Sequence, residues 1–168
     1  SSELANGKRN SQKFANKIFN ILLLSLLTVV LIIEIFMPGF VFIIAPGFNE
    51  NTDKLELTIF LTRITFPFLF FVSLSSFFSA ILNSHNKFAA AAAAPIILNI
   101  LLIIVLLYGN YLNDQIVIYL SYAVTLAGII QLIFLFFFVR NYYYPKFNFS
   151  FKLDNKTKLF FKKLLPSI

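Results

Sequence analysis

The chain has 168 residues, of which 59% are hydrophobic and 12% are charged, about half the charged share of a soluble domain. A soluble helical bundle of this composition would expose large apolar patches to water, whereas lipid accepts apolar side chains. The sequence contains no cysteine and one histidine, which excludes disulfides, thiolate metal sites and His-rich metal sites. The composition therefore predicts an all-α membrane protein with no cofactor, and it argues against an enzyme of the common metal or nucleophile types.

Four apolar stretches are long enough to cross a bilayer, which takes about 20 residues as a helix. They are much longer than barrel strands and show no sustained alternation of apolar and polar residues, so helix is preferred over strand. A basic segment, 1–17, precedes them, and a basic amphipathic linker, 140–168, follows them. The predicted spans are 18–44, 58–83, 88–108 and 116–139.

The basic residues lie on alternate connections between the predicted spans. Twelve of the 14 basic residues fall before the first span, in the turn between the second and third spans, or after the fourth span. The other two connections carry mostly acidic residues. The positive-inside rule then places both ends in the cytoplasm. The net charge of +7 is explained by orientation and anionic membrane lipid, so nucleic acid is not an expected partner.

Three prolines within or beside the predicted spans indicate helix bends, because proline has no backbone N–H to donate. They are Pro38 in the first span, Pro67 in the second and Pro95 in the third. Asn99 follows Pro95 by one turn, and its amide is expected to satisfy the carbonyl that Pro95 leaves free. The bends are expected to be structural features first.

Charged and polar side chains inside the spans are candidates for function, since they are costly in lipid. Glu34 is expected near the outer interface, although a proton or ligand site remains an alternative. Arg63 could face a central cavity and attract an anion, or it could reach the outer headgroups. Residues 125, 128 and 131 share one face of the fourth span, and the last of these, Gln131, is expected to face protein or a water-filled cavity.

The polar run between the second and third spans predicts a short cytoplasmic turn. Asn83 is expected to cap the end of one helix and Asn86 the start of the next. His85 is expected to be a solvated turn residue. Four serines on the inner half of the second span are expected to serve close helix packing rather than substrate contact: Ser73, Ser75, Ser76 and Ser79.

The order of these features resembles the third to sixth spans of the lipid II flippase family (MurJ/MviN), within the superfamily of multidrug, oligosaccharidyl-lipid and polysaccharide exporters. The resemblance covers nearly the whole chain. The segments that carry it are Ala45-Pro46-Gly47-Phe48, Arg63-Ile64-Thr65-Phe66-Pro67, Ala80-Ile81-Leu82-Asn83-Ser84 with Lys87-Phe88, and Ala94-Pro95-Ile96-Ile97-Leu98-Asn99.

The resemblance implies transport of lipid-linked peptidoglycan precursor across the bacterial inner membrane by alternating access, within a transporter of about fourteen spans. The chain is accordingly expected to be an internal fragment, most of one lobe, whose partners are the precursor, membrane lipid and the rest of the same chain. The family's substrate-binding residues lie mainly on spans that this chain lacks. A polysaccharide or multidrug exporter and a non-transporting scaffold subunit remain alternatives. The substrate or gating candidates are Arg63, Asn83, Lys87, Asn99 and Gln131.

Overall fold

The computed structural model describes residues 7–48, 52–112 and 115–146, and within these residues all regular structure is helical. The basic linker predicted at 140–168 lies outside the described residues from residue 147 onward. A short 3-10 helix, Pro46–Phe48, follows the second α-helix. The α-helices are α1 (Lys8–Ile35), α2 (Met37–Ile44), α3 (Thr52–Thr65), α4 (Pro67–Ser84), α5 (Phe88–Leu107), α6 (Gly109–Leu112) and α7 (Ile116–Val139).

Among the described residues, four helical stretches are long and apolar enough to cross a membrane: Asn10–Ile35, Thr52–Ser84, Phe88–Leu107 and Ile116–Val139. The predicted all-α membrane protein with four spans is therefore confirmed. The first helix begins at Lys8 rather than at residue 18, and the second span begins at Thr52 rather than at residue 58. Both extensions hold polar residues that favour helix, such as lysine and glutamate, so the helix continues beyond the apolar run that hydropathy detects.

Two spans are divided where a proline follows. The first span breaks at Phe36, which has φ −97° and ψ 20°, and Pro38 then lies in the first turn of α2. The second span breaks at Phe66, directly before Pro67 at the start of α4. Proline is accepted in a first helical turn because that position needs no backbone donor. Pro95, in contrast, lies inside α5, which continues through it.

The fourth span, α7, lies at the centre of the fold and packs against α3, α4 and α5. Its buried residues and those of α1 and α4 form the main core. A second, smaller core joins the two breaks, because Met37 and Val41 of α2 pack against Phe66. The outer faces are strongly apolar and exposed, above all on α5, as expected for surfaces that contact lipid or further spans.

Candidate functional site

The face of α7 that carries residues 125, 128 and 131 packs against the second span. Thr125 donates its hydroxyl hydrogen to the backbone carbonyl of Ile64, on α3. Gly128 lies so near α4 that a Cβ atom built on it would be 2.8 Å from Cδ2 of Phe68 and 3.0 Å from Cβ of Phe71. Gln131, one of the substrate or gating candidates, is 3% exposed. Protein therefore covers this polar face within the four spans.

The break in the second span changes the backbone hydrogen bonding at Arg63. The nitrogen of Pro67 would normally donate to the carbonyl four residues earlier, which belongs to Arg63, and proline has no hydrogen to give. Phe66 still donates to the carbonyl of Thr62 at 2.7 Å, so the helix is regular up to this point. One residue after Arg63, the backbone carbonyl of Ile64 accepts a hydrogen bond from the hydroxyl of Thr125. The break is thus held by a side chain from the fourth span.

Two opposite charges lie beside the breaks of the first and second spans. Glu34 is two residues before Phe36, and Oε1 of its carboxylate is buried without a hydrogen-bond partner. The positive charge of Arg63 attracts Glu34 electrostatically, and the Arg63 side chain is exposed. Between the two breaks, the ring of Phe40 meets the ring of Phe66 edge to face, with centroids 5.6 Å apart. This arrangement places one negative and one positive residue beside the two helix breaks.

The turn between α4 and α5 differs in detail from the sequence expectation. Asn86 has φ 58° and closes the end of α4, while Lys87 donates its backbone N–H to the carbonyl of Leu82 at 2.9 Å. Asn83 lies inside α4 and is exposed, so the two predicted capping roles were wrong. Asparagine tolerates the left-handed backbone conformation that ends a helix, which explains why an asparagine suits position 86.

His85 is held in this turn rather than freely solvated. Its Nδ1 lies 2.9 Å from the carbonyl oxygen of Ile81 and 3.2 Å from Oγ of Ser84. Its ring centroid is 4.8 Å from that of Tyr142, which follows the fourth span. The expectation of a turn residue is therefore confirmed, but the ring is only partly exposed, because a tyrosine distant in sequence packs against it.

Asn99 does not satisfy the carbonyl that Pro95 frees. That carbonyl belongs to Ala91, four residues before the proline, whereas Asn99 lies four residues after it. The separation of eight residues is about 12 Å along a helix axis, at 1.5 Å per residue. Asn99 is exposed, and within the described part of the chain its side chain has no hydrogen bond. The structural role expected for Asn99 was therefore wrong.

The five substrate or gating candidates are not brought into one site by these four spans. Four of them are exposed on the described surface, and one is buried. The exposed residues are Arg63, Asn83, Lys87 and Asn99, and the buried residue is Gln131. In the ranges 7–48, 52–112 and 115–146, no three histidine, aspartate or glutamate side chains are grouped to hold a metal ion.

Sequence reasoning missed a polar cluster that joins the start of the first span to the segment after the fourth. Oδ1 of Asn16 accepts hydrogen bonds from the hydroxyl of Tyr143 at 2.8 Å and from the backbone N–H of Lys146 at 3.0 Å. Nδ2 of Asn20 donates to the backbone carbonyl of Lys146 at 3.0 Å. Two asparagines four residues apart in a helix share one face, and this spacing is the signal that could have indicated a polar contact face at the start of the first span.

A groove of about 450 Å³ lies between α5 and α7. Its lining is apolar apart from the hydroxyl groups of Tyr119, Tyr122 and Thr125. The hydroxyl of Thr125 is already used in the bond to α3. The groove therefore has the character of a helix-packing or acyl-chain surface, and it does not offer charges to a polar ligand.

The sequence matches one protein family over almost all its length. The family model described as "Lipid II flippase MurJ" matches residues 2–168. A "Probable lipid II flippase MurJ" of Rickettsia prowazekii (strain Madrid E) is 45% identical over 134 residues, which cover 79% of this chain and 26% of the relative. The protein of the same name from Rhizobium tropici is 38% identical over 141 residues, covering 82% and 26%.

A third relative of that name, from Buchnera aphidicola subsp. Schizaphis graminum (strain Sg), is 34% identical over 146 residues, covering 85% of this chain and 28% of the relative. The chain thus spans about a quarter of the length of the curated relatives that it matches.

Proposed function

We propose, because this chain belongs to the lipid II flippase MurJ family, that it forms part of a transporter that moves lipid-linked peptidoglycan precursor across the bacterial inner membrane. The observation that carries the proposal is the family match over residues 2–168. The four spans supply the membrane-embedded framework on which such transport depends. Movement of an intact lipid between leaflets needs no covalent step, so the proposed role is transport rather than catalysis.

The physical difficulty of this transport is the polar head of the cargo. A polar group without a hydrogen-bond partner costs several kcal/mol in hydrocarbon, so the transporter must offer it a polar passage. Most serine and threonine hydroxyls inside the four spans already donate to backbone carbonyls, and Gln131 is buried. The passage must therefore be completed by the remainder of the transporter.

Arg63 and Asn99 are the residues that we propose to face this passage. Each is a polar side chain that is exposed on one of the four spans. Polar side chains in membrane helices face protein or water rather than lipid. The surfaces that carry Arg63 and Asn99 are therefore expected to be covered by other spans of the complete protein, with Arg63 supplying a positive charge to the cargo head or to a gate.

The remaining candidates lie in other settings. Asn83, in the last turn of α4, and Lys87, directly before α5, are both exposed on the side that we propose to be cytoplasmic. There Lys87 would contact anionic headgroups. Gln131 is buried, and we propose that it stabilises helix packing. Pro38 and Pro67, which lie at the two breaks, are proposed bending points during the transport cycle. Pro95 is the third proposed bend.

The orientation can be tested with single cysteines at Thr52 and Lys87, which are both exposed and lie at opposite ends of the second span. In the full-length protein, we expect a membrane-impermeant maleimide added to spheroplasts to label the cysteine at Thr52. The cysteine at Lys87 should react only after the membrane is permeabilised. The same accessibility at both sites would contradict the four-span topology with cytoplasmic ends.

The transport proposal is tested by depletion of the full-length protein in its own cell. We expect precursor to accumulate in the inner leaflet, with less of it accessible to a reagent that acts only at the outer surface. Re-expression of the full-length protein should restore the accessible fraction. Undiminished delivery of precursor to the outer leaflet during depletion would refute the proposal.

A further inference from the structure

Residues 141–146, here called the exit segment, turn back onto the start of the first span. The backbone N–H groups of Tyr142 and Tyr143 donate to the carbonyl of Val139, at 2.9 and 2.8 Å, which ends α7 in a tight turn. The turn brings Tyr143 and Lys146 to Asn16 and Asn20, about 130 residues earlier in the chain. The entry and the exit of the four-span unit are thus joined.

Asn16 occupies the centre of this joint. Its one carbonyl oxygen, Oδ1, accepts both the Tyr143 hydroxyl and the Lys146 backbone N–H. Asn20, one turn further along α1, donates to the Lys146 carbonyl and also to the backbone carbonyl of Asn16, at 2.7 Å. Lys146 is therefore fixed through both its backbone N–H and its backbone carbonyl, a geometry that defines the direction of the chain at that residue.

Aromatic packing supports the same joint. The Tyr143 ring is 2% exposed and lies against the rings of Phe19 and Phe77, with centroids 6.4 and 5.9 Å away. The neighbouring Tyr142 covers His85 in the turn between α4 and α5. The exit segment consequently contacts the first span, the second span and the turn that follows it.

We infer that Asn16 is a positioning residue that keeps the exit segment permanently docked on α1, so that the four-span unit and the start of the following linker move as one body. Opening the joint would break the three hydrogen bonds that Asn16 and Asn20 make to Tyr143 and Lys146. It would also pull the buried Tyr143 ring away from Phe19 and Phe77, and both losses are unfavourable. The inference rests on the proposed transport function only where it concerns movement during the cycle. The docking itself is a property of the fold.

The docking can be tested by a crosslink in the full-length transporter. The chain of 168 residues has no cysteine, so Lys13→Cys and Lys146→Cys add a defined pair once any cysteines elsewhere in the full-length protein are replaced. Both side chains are exposed, and neither makes the hydrogen bonds of the joint. Residues three apart in a helix are about 5–6 Å apart, so Lys13 lies one turn from Asn16. The cysteines at positions 13 and 146 should therefore be on the order of 10 Å apart, which a short bis-maleimide can bridge by alkylating both thiols.

We expect rapid crosslinking and retention of at least half of the transport activity after the crosslink has formed. Failure to crosslink would refute the docking. Efficient crosslinking that abolishes transport would show that the joint must open, and it would overturn the inference of a permanent joint. If depletion and re-expression show no effect on precursor delivery, the proposed function fails, while the crosslinking rate still decides the docking.

Substitutions at Asn16 distinguish positioning from simple packing. In the two-cysteine protein, Asn16→Ala should slow crosslinking about tenfold, because the joint loses its shared acceptor. Asn16→Asp keeps an acceptor oxygen at the Oδ1 position in a side chain of nearly the same shape, and it should restore the crosslinking rate. The control is Ser25→Ala, since the Ser25 hydroxyl bonds only to Leu22 of its own helix. An unchanged rate in Asn16→Ala, or no rescue by Asn16→Asp, would refute the positioning role.

Discussion

Gly128 of the fourth span faces the ring of Phe68 on the second span so closely that an added Cβ atom would lie 2.8 Å from Cδ2 of that ring. Phe71 closes the other side, with its own Cβ at 3.0 Å from the same point. A Cβ atom next to the backbone cannot move away as the end of a flexible side chain can. The close approach of α4 and α7 therefore depends on the missing side chain at Gly128, a common device in membrane helix packing.

Gly128→Ala should destabilise the full-length protein by about 1–3 kcal/mol, the usual cost of an extra carbon in a filled core. Thermal unfolding in detergent should show a lower midpoint. Gly39→Ala is the matched control, because no atom lies within 4 Å of a Cβ at Gly39 and the position is helical. The packing argument would be wrong if the two variants unfolded at the same temperature.

The number of spans could be predicted from the sequence because hydropathy is a local property. Each span is a continuous apolar run, and its length alone identifies it. The helix starts were less predictable, because α1 extends through polar residues from Lys8 that resemble a loop by hydropathy. The break in the second span was predictable because Pro67 interrupts the backbone hydrogen bonds of its own helix, which is also a local effect.

The contacts of the candidate residues could not be predicted in the same way, because they depend on distant parts of the chain. Asn16 and Tyr143 are 127 residues apart, and nothing local to either indicates the other. The tyrosine over His85 was unforeseen for the same reason. The role of Asn99 was predicted wrongly because the carbonyl that Pro95 leaves free lies four residues before the proline, whereas Asn99 lies four residues after it.

Asn86 provides a test of backbone strain at the end of α4. Its φ of 58° is unfavourable for branched side chains, so Asn86→Val should destabilise the full-length protein by about 1–2 kcal/mol. Asn86→Gly should leave stability unchanged or raise it slightly, since glycine has no Cβ to clash. Denaturant unfolding measures both. Asn83→Ala, at an exposed position inside α4, should be nearly neutral and serves as the control.

Thr125→Val tests the hydroxyl that reaches the broken second span. The substitution keeps the shape and removes the donor to the Ile64 carbonyl, so we expect a loss of about 0.6 kcal/mol, a typical value between membrane helices. Thr125→Ser should retain the bond. Thr28→Val is the control, because Thr28 is exposed and its hydroxyl donates to the carbonyl of Leu24 in its own helix. Equal losses at the two threonines would argue against a special role for Thr125.

Asn99→Cys tests whether the exposed face of α5 that carries Asn99 borders a water-filled passage in the complete transporter. We expect a small hydrophilic maleimide to label this cysteine in the full-length protein, because thiols react as thiolates and require water. Ile104→Cys lies about 140° around the same helix, on the apolar groove, and should react far more slowly. Equal and slow labelling at both positions would place Asn99 against lipid or packed protein, contrary to the proposed passage.

The hydroxyl of Tyr143 gives the joint at Asn16 a defined dependence on pH. Burial raises the pKa of Tyr143 above its ordinary value of 10.0, so the folded protein holds this proton more tightly than the unfolded chain does. The contribution of the protonated phenol to stability is therefore fully present below pH 10.0 and is lost as the pH rises above it towards the raised pKa of the folded state.

Tyr143→Phe should lower stability by about 1 kcal/mol at neutral pH, because Asn16 loses one donor while the ring packing remains. The variant should also lose less stability than the unsubstituted protein between about pH 9 and pH 11, since the titrating group is gone. Denaturant unfolding of the full-length protein at several pH values measures both effects. Tyr144→Phe, at an exposed neighbour, is the control and should keep the alkaline loss. An unchanged alkaline loss in Tyr143→Phe would show that this hydroxyl is not the group that titrates.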